Sequence, residues 1–151
     1  MAMLETSPCL CGASNIFNVC CGKFILNHGA TDSAEQLMRS RYSAYILKDQ
    51  NYLLKTWHES TRPSSLDLDN DSTQWKKLKI ISASKDIVQF VAYFIANNDY
   101  FALSETSHFI KDTQWFYEKG NEVKTIKLTK NMPCPCLSGK KFKRCCEKAF
   151  T

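Results

Sequence analysis

The chain has 151 residues with 20 Lys and Arg against 15 Asp and Glu, a formal charge of +5 with histidine neutral. That length suits one domain with small appendages, and a hydrophobic fraction of 44% with only 5 Gly and 4 Pro excludes a disordered chain. No apolar run approaches the roughly 20 residues that span a bilayer, and Met1 to Pro8 has neither the basic start nor the apolar centre of a secretion signal, so a soluble cytoplasmic protein is expected.

In chain order the first feature is a set of thiols, Cys9, Cys11, Cys20 and Cys21, introduced by Pro8. It recurs as Cys134, Cys136, Cys145 and Cys146 after Pro133, with no cysteine between the two sets. Both read C-x-C, eight residues, C-C. Disulfides are disfavoured, because a cytoplasmic chain is held reduced and a C-x-C bridge closes a strained ring. A turn between the first two cysteines can aim both thiolates at one point, and the adjacent pair supplies the other two. Four thiolates with no open position describe a structural, tetrahedral Zn²⁺ site at each end, with an iron centre the less favoured occupant. A thiol-based redox sensor is the alternative use, although neither spacing is the C-x-x-C of a thioredoxin-like site. The N-terminal set has only Lys23 nearby to offset its charge, so weaker metal binding is expected there. This divides the chain into 1–30, an N-terminal four-cysteine knuckle, 31–130, a cysteine-free domain, and 131–151, a C-terminal zinc-binding knuckle.

Thr31, Asp32 and Ser33 can cap a helix, with Asp32 and Glu35 at capping-box spacing. Leu37, Met38, Tyr42, Tyr45 and Ile46 recur at helical steps behind them. A shorter helix is expected from about Gln50 to Trp57, and Pro63 with Ser64 to Thr73 reads as a loop. The acidic run Asp67 to Asp71 starts like a calcium loop but lacks the glycine and the distal acid, Ser72 and Leu78 standing there instead.

The period then changes to two. Lys77 to Ser82, Val88 to Ile95, Tyr100 to Ile110 and Gln114 to Glu118 read as strands. The connectors Asn97-Asn98-Asp99, Lys111-Asp112 and Lys119-Gly120-Asn121 are turn-like, so an antiparallel meander is expected. Helices followed by a curved antiparallel sheet that wraps the first of them give an α+β domain. The pattern is similar to the cone of the nuclear-transport-factor-two-like, or SnoaL-like, fold, though periodicity admits other α+β folds.

Alternation puts Glu105 and Ser107 on the apolar, inward face of their strand with Leu103 and Phe109. A carboxylate there needs a partner or a solvated pocket. Helical spacing favours Arg41 over Arg39 as that partner. One reading makes Arg41, Tyr45, His58, Glu105 and Ser107 the polar part of a ligand pocket; the other makes Arg41 and Glu105 a buried structural ion pair. No second carboxylate or inward histidine completes an acid–base pair. His108 falls outward and His28 lies in a loop. Neither a phosphate-binding glycine loop nor a G-x-S-x-G turn occurs.

Residues 131–151 carry +4 of the +5, from Lys140, Lys141, Lys143, Arg144 and Lys148 against Glu147. Eight ionised thiols and two divalent ions lower the whole chain to +1 and this tip to +2.

Two resemblances follow. Pro133-Cys-Pro-Cys-Leu-Ser-Gly-Lys-Lys-Phe-Lys-Arg-Cys-Cys146 resembles the SEC-C motif, the zinc module that also ends the preprotein translocase ATPase SecA. It departs from the common form at Leu137, where glycine is usual. The resemblance implies zinc held by Cys134, Cys136, Cys145 and Cys146, and a docking role, since the translocase's modules bind an acidic chaperone and the ribosome. Ala34-Glu-Gln-Leu-Met-Arg-Ser-Arg-Tyr-Ser-Ala-Tyr45 and Tyr52-Leu-Leu-Lys-Thr-Trp-His-Glu-Ser-Thr-Arg-Pro63 between two such ends resemble the YchJ family of bacterial proteins. That family implies a nuclear-transport-factor-two-like middle domain but supplies no activity. Two function classes remain: a non-enzymatic adaptor whose basic C-terminal knuckle docks an acidic protein or a ribosomal or other nucleic-acid partner, and a domain that binds or converts a small molecule in its cone.

Overall fold

In the computed structural model, which describes residues 2–151, two short helices, α1 (Ala2–Thr6) and α2 (Gly22–Ile25), precede α3 (Ala34–Leu47) and α4 (Gln50–Lys55). The cap of α3 is Ser33, one residue beyond the expected Asp32: its Oγ accepts from the Gln36 amide, and Gln36 Oε1 in turn accepts from the Asp32 amide. A glutamine thus takes the reciprocal role that the spacing assigned to Glu35. Helix α3 ends where Lys48 turns left-handed, with φ of 55°, and Asp49 caps α4 by accepting from the Tyr52 amide.

Four strands follow, β1 (Gln74–Ala83), β2 (Ile87–Ala96), β3 (Asp99–Lys111) and β4 (Trp115–Lys127), paired in sequence order as an antiparallel meander. Asn97 and Asn98 both have positive φ, the geometry of the two-residue hairpin turn that asparagine tolerates. Register irregularities twice in β1 and twice between β3 and β4 strengthen the twist and curl the sheet.

The expected turn at Lys119-Gly120-Asn121 is not a turn. Strand β4 runs through it, with Gly120 opposite Ser107 and Asn121 opposite Thr106. The glycine marks a close approach instead: a Cβ at position 120 would stand 2.5 Å from Glu105 Cδ.

The concave face of the sheet packs on α3 through Leu78, Val88, Phe90, Ala92 and Phe109, in one core with Leu37, Met38 and Tyr42. The convex face carries a second core, in which Val91, Tyr93 and Ala102 meet Leu128, Phe142 and Phe150 of the C-terminal segment. Strand β2 is therefore covered on both sides, which explains its nearly unbroken apolar run. Among the described residues, no helix is long and apolar enough to cross a membrane.

Candidate metal centres and cone cavity

The two cysteine sets fold into the same backbone, displaced by 125 residues. Pro8 bridges Ile16 as Pro133 bridges Lys141. The Cys9 amide donates to Asn15 O at 2.9 Å and that of Cys134 to Lys140 O at 2.8 Å; Cys20 and Cys145 each donate to the phenylalanine three residues earlier at 3.0 Å. Those phenylalanines, Phe17 and Phe142, begin matching 3₁₀ turns and are fully buried. Each turn aims the adjacent cysteine pair back at the C-x-C pair.

Within each set the four Sγ atoms lie within 4.8 Å of one another. Individual separations are 3.7 Å for Cys11 and Cys20, 3.5 Å for Cys136 and Cys145, and 3.9 Å for Cys145 and Cys146. Four thiolates bonded at about 2.3 Å to a tetrahedral ion stand about 3.8 Å apart. The sulfurs therefore fit such an ion, and all eight cysteines are free of disulfides. Six of the eight are buried, with only Cys20 and Cys145 partly exposed.

The thiols show what a cation relieves. Burial pushes Cys20 and Cys146 each up to about 12. Burial also raises Cys136, yet hydrogen bonds from Ser138, Cys145 and Cys134 carry it down to about 6. Hydrogen bonds from Cys11 and Cys21 hold Cys9 well below the ordinary thiol range. Without a cation, one thiolate in each set is stabilised by its neighbours' protons, and full ionisation needs positive charge at the centre.

Basic groups next to the sulfurs come from the middle of the chain. Arg39, bonded to Glu35 at 3.0 Å, places Nη1 at 3.2 Å from Cys11 O and 4.0 Å from its Sγ. Lys77 Nζ lies 3.5 Å from Cys146 Sγ, and the fully buried Tyr93 hydroxyl 3.3 Å from Cys134 Sγ. The expectation that the N-terminal set has only Lys23 for compensation is thus corrected: Lys23 sits over the Phe24 ring, and Arg39 supplies the charge. Arg39 was legible as the helical residue facing away from Arg41. Lys77 and Tyr93 carried no sequence signal, because tertiary packing brings them to the knuckle. The bases Lys140, Lys141, Lys143, Arg144 and Lys148 are all exposed.

Between α3 and the concave face lies a cavity of about 250 Å³. Its apolar wall is Met38, Tyr42, Trp75, Phe90, Ala92 and Leu103; Arg41, Tyr45, Glu105, Ser107 and Tyr117 supply the polar one. Arg41 is 3% exposed. Its Nη1 donates to Leu53 O and to Thr56 Oγ1, both at 2.7 Å, and its guanidinium lies over the rings of Tyr117 and Trp57 at 4.6 and 5.0 Å. Glu105 Oε2 accepts from Ser107 Oγ at 2.5 Å.

Two expectations change here. The ion pairs among the described residues join Arg39 to Glu35, His58 to Asp112, Lys127 to Asp99 and Lys130 to Glu147. None joins Arg41 to Glu105, because α4 and two aromatic rings already hold the guanidinium. His58 is not in the cavity: it binds Ser60 and Asp112 at a separate surface site and packs edge-on against Phe116. Burial raises the pKa of Tyr45 against the pull of Arg41, and burial with the nearby Glu105 raises that of Tyr117.

Residues 33–120 match the family model described as YchJ, middle NTF2-like domain, and residues 131–148 that of the SEC-C motif. A UPF0225 protein of Enterobacter sp. (strain 638) is 37% identical over 93% of this chain and 98% of its own length. One from Vibrio parahaemolyticus is 35% identical over the same shares. A SEC-C motif containing protein from Rhodopseudomonas palustris, solved in solution, is similar at a TM-score of 0.68 and 29% identity, over 77% of this chain and 98% of that one. The crystal structure of another from Psychrobacter arcticus is similar at 0.56 and 30%, over 96% and 94%.

Proposed function

The chain belongs to the YchJ (UPF0225) family, with an NTF2-like middle domain and a SEC-C motif, and on that premise we propose that it is a non-enzymatic zinc-binding adaptor whose C-terminal knuckle docks an acidic partner. Zinc is the ion that a closed set of four thiolates suits, since all four positions are protein sulfur and none is left for a substrate. The ion is therefore structural, and its task is to hold the knuckle's loop rigid.

The observation that carries the docking role is the distribution of charge on that loop. All five bases of the tip are exposed and none enters an ion pair among the described residues, whereas the one acid, Glu147, is tied to Lys130 at 3.3 Å. Five exposed cations without an ion pair, on the knuckle and the short 3₁₀ helix that follows it, attract an acidic protein surface or a nucleic acid such as ribosomal RNA. Phe142 lies between them in sequence but faces the core, so the positive face needs no apolar anchor to form.

The test is affinity capture from a native extract with the full, metal-loaded chain and with Lys140→Glu, Lys141→Glu and Lys143→Glu combined. The substituted chain keeps its metal and loses its partner, and nuclease treatment separates a protein from a nucleic acid. An unchanged set of captured partners contradicts the reading.

A further inference from the structure

The cone cavity presents two opposite charges that do not close on each other. In a site of low dielectric a guanidinium and a carboxylate are drawn into contact unless each is anchored elsewhere. Both are anchored here. Arg41 is fixed by Leu53 O, Thr56 and the rings of Tyr117 and Trp57. Glu105 is fixed by Ser107, and the missing side chain at Gly120 makes its room: a Cβ there would stand 2.6 Å from Oε2. Both of the hydrogen bonds named for Arg41 leave from Nη1, and Ser107 engages Oε2 of Glu105; the Tyr45 and Tyr117 hydroxyls are further partners of the guanidinium and the carboxylate, respectively.

We propose that this cavity is a binding site for a small uncharged molecule with a flat apolar body and one edge carrying an acceptor beside a donor, of the primary-amide or lactam class. The acceptor takes a hydrogen bond from the Arg41 guanidinium, and the donor gives one to Glu105. A flat body fits the aromatic wall of Tyr42, Trp75 and Phe90. Size agrees: about 150 Å³ of apolar cavity holds benzene, and about 250 Å³ adds room for a polar group. Net charge is excluded by the wall itself, since an anion faces Glu105 and a cation faces Arg41. Tyr45, Leu103, Glu105 and Tyr117 are each only partly buried, so the cavity communicates with solvent. Water against its mostly apolar wall is poorly held and is displaced at a gain. The site lies on the other side of the sheet from the C-terminal knuckle and does not depend on the docking role.

Benzamide, benzoate and ethylbenzene are the probes, titrated into the full, metal-loaded, ¹⁵N-labelled chain. Benzamide is expected to give saturable amide shifts at Ala92, Leu103, Glu105 and Ser107 at concentrations of about 10 mM or below. Benzoate and ethylbenzene, which match its ring but not its edge, bind about tenfold more weakly or worse. In Glu105→Gln the repelling carboxylate and the acceptor for the amide donor are both weakened, so benzoate gains more than about tenfold while benzamide loses several-fold, and their order reverses. The absence of saturable shifts with benzamide, equal affinity for all three probes, or an unchanged order of benzamide and benzoate in the folded variant overturns the proposal. The wild-type order of the three probes decides it without the variant.

Discussion

Leu137 holds a branched side chain at φ of 65° and is 72% exposed. The aligned residue of the first knuckle is Gly12, at φ of 83°. The left-handed region disfavours leucine by about 1–2 kcal/mol, and glycine returns about 0.4–1 kcal/mol of unfolded-state entropy. Leu137→Gly therefore stabilises the metal-loaded protein by about 0.5–1 kcal/mol, measured by denaturant unfolding at fixed metal; destabilisation contradicts that balance. Gly120 is the opposite case. Gly120→Ala pushes the Glu105 carboxyl off Ser107 and costs about 1 kcal/mol, the worth of that hydrogen bond, and a neutral effect in the same assay removes the steric role assigned to it. Arg39→Met keeps the stem and deletes the charge beside Cys11. It should weaken metal binding at the N-terminal site about 10–100-fold in chelator competition, with the C-terminal site as an unchanged internal control. Equal loss at both sites, or none, refutes the role. Sequence reasoning placed Arg41 inward correctly from its helical step. It missed what Arg41 binds, because a carbonyl at the end of α4 and a ring from β4 leave no mark on α3's own period.

At the scale of elements, β2 is the strand on which both cores meet. Residues Val88, Phe90 and Ala92 face α3, and Val91 and Tyr93 face the C-terminal segment. Phe150 stacks on Tyr100 at 4.2 Å, and Tyr93 lies parallel to Phe142 at 6.4 Å. This aromatic contact, with the Tyr93 hydroxyl at Cys134, fastens the knuckle to the convex face. Phe142→Ala should cost about 3–5 kcal/mol and raise amide exchange across residues 128–150 and at Val91 and Tyr93 ahead of the concave side. Uniform loss of protection would mean that the knuckle is not a separate layer. The meander, its Asn-Asn turn and the long apolar run of β2 were readable from the period-two pattern. That the run meant two covered faces was not, since a continuous apolar strand carries no record of what covers it. The glycine of Lys119-Gly120-Asn121 misled for a related reason: it marks a close approach as well as a turn, and only the register of β4 on β3 distinguishes them.

On the scale of the whole molecule, the two knuckles sit against different sides of the cone. The first shares the α3 core through Cys11, Phe17, Cys21 and Phe24, and the second closes the convex face. The repeat of four cysteines made both legible from spacing alone, while the residues that tie them down belong to α3, β1 and β2. Charge follows the metal. With all eight thiols ionised around two divalent ions the formal charge falls from +5 to +1, and the exposed tip, at +2, is the most positive part of the chain. Both ends of the molecule therefore depend on closed four-thiolate centres. Native mass spectrometry of the reduced chain, with metal analysis and thiol titration, measures them directly. Two zinc ions per chain with eight slowly reacting thiols, falling to one ion in Cys136→Ser, is the result predicted. Zinc well below one equivalent, with the thiols freely reactive or joined in disulfides, would contradict it.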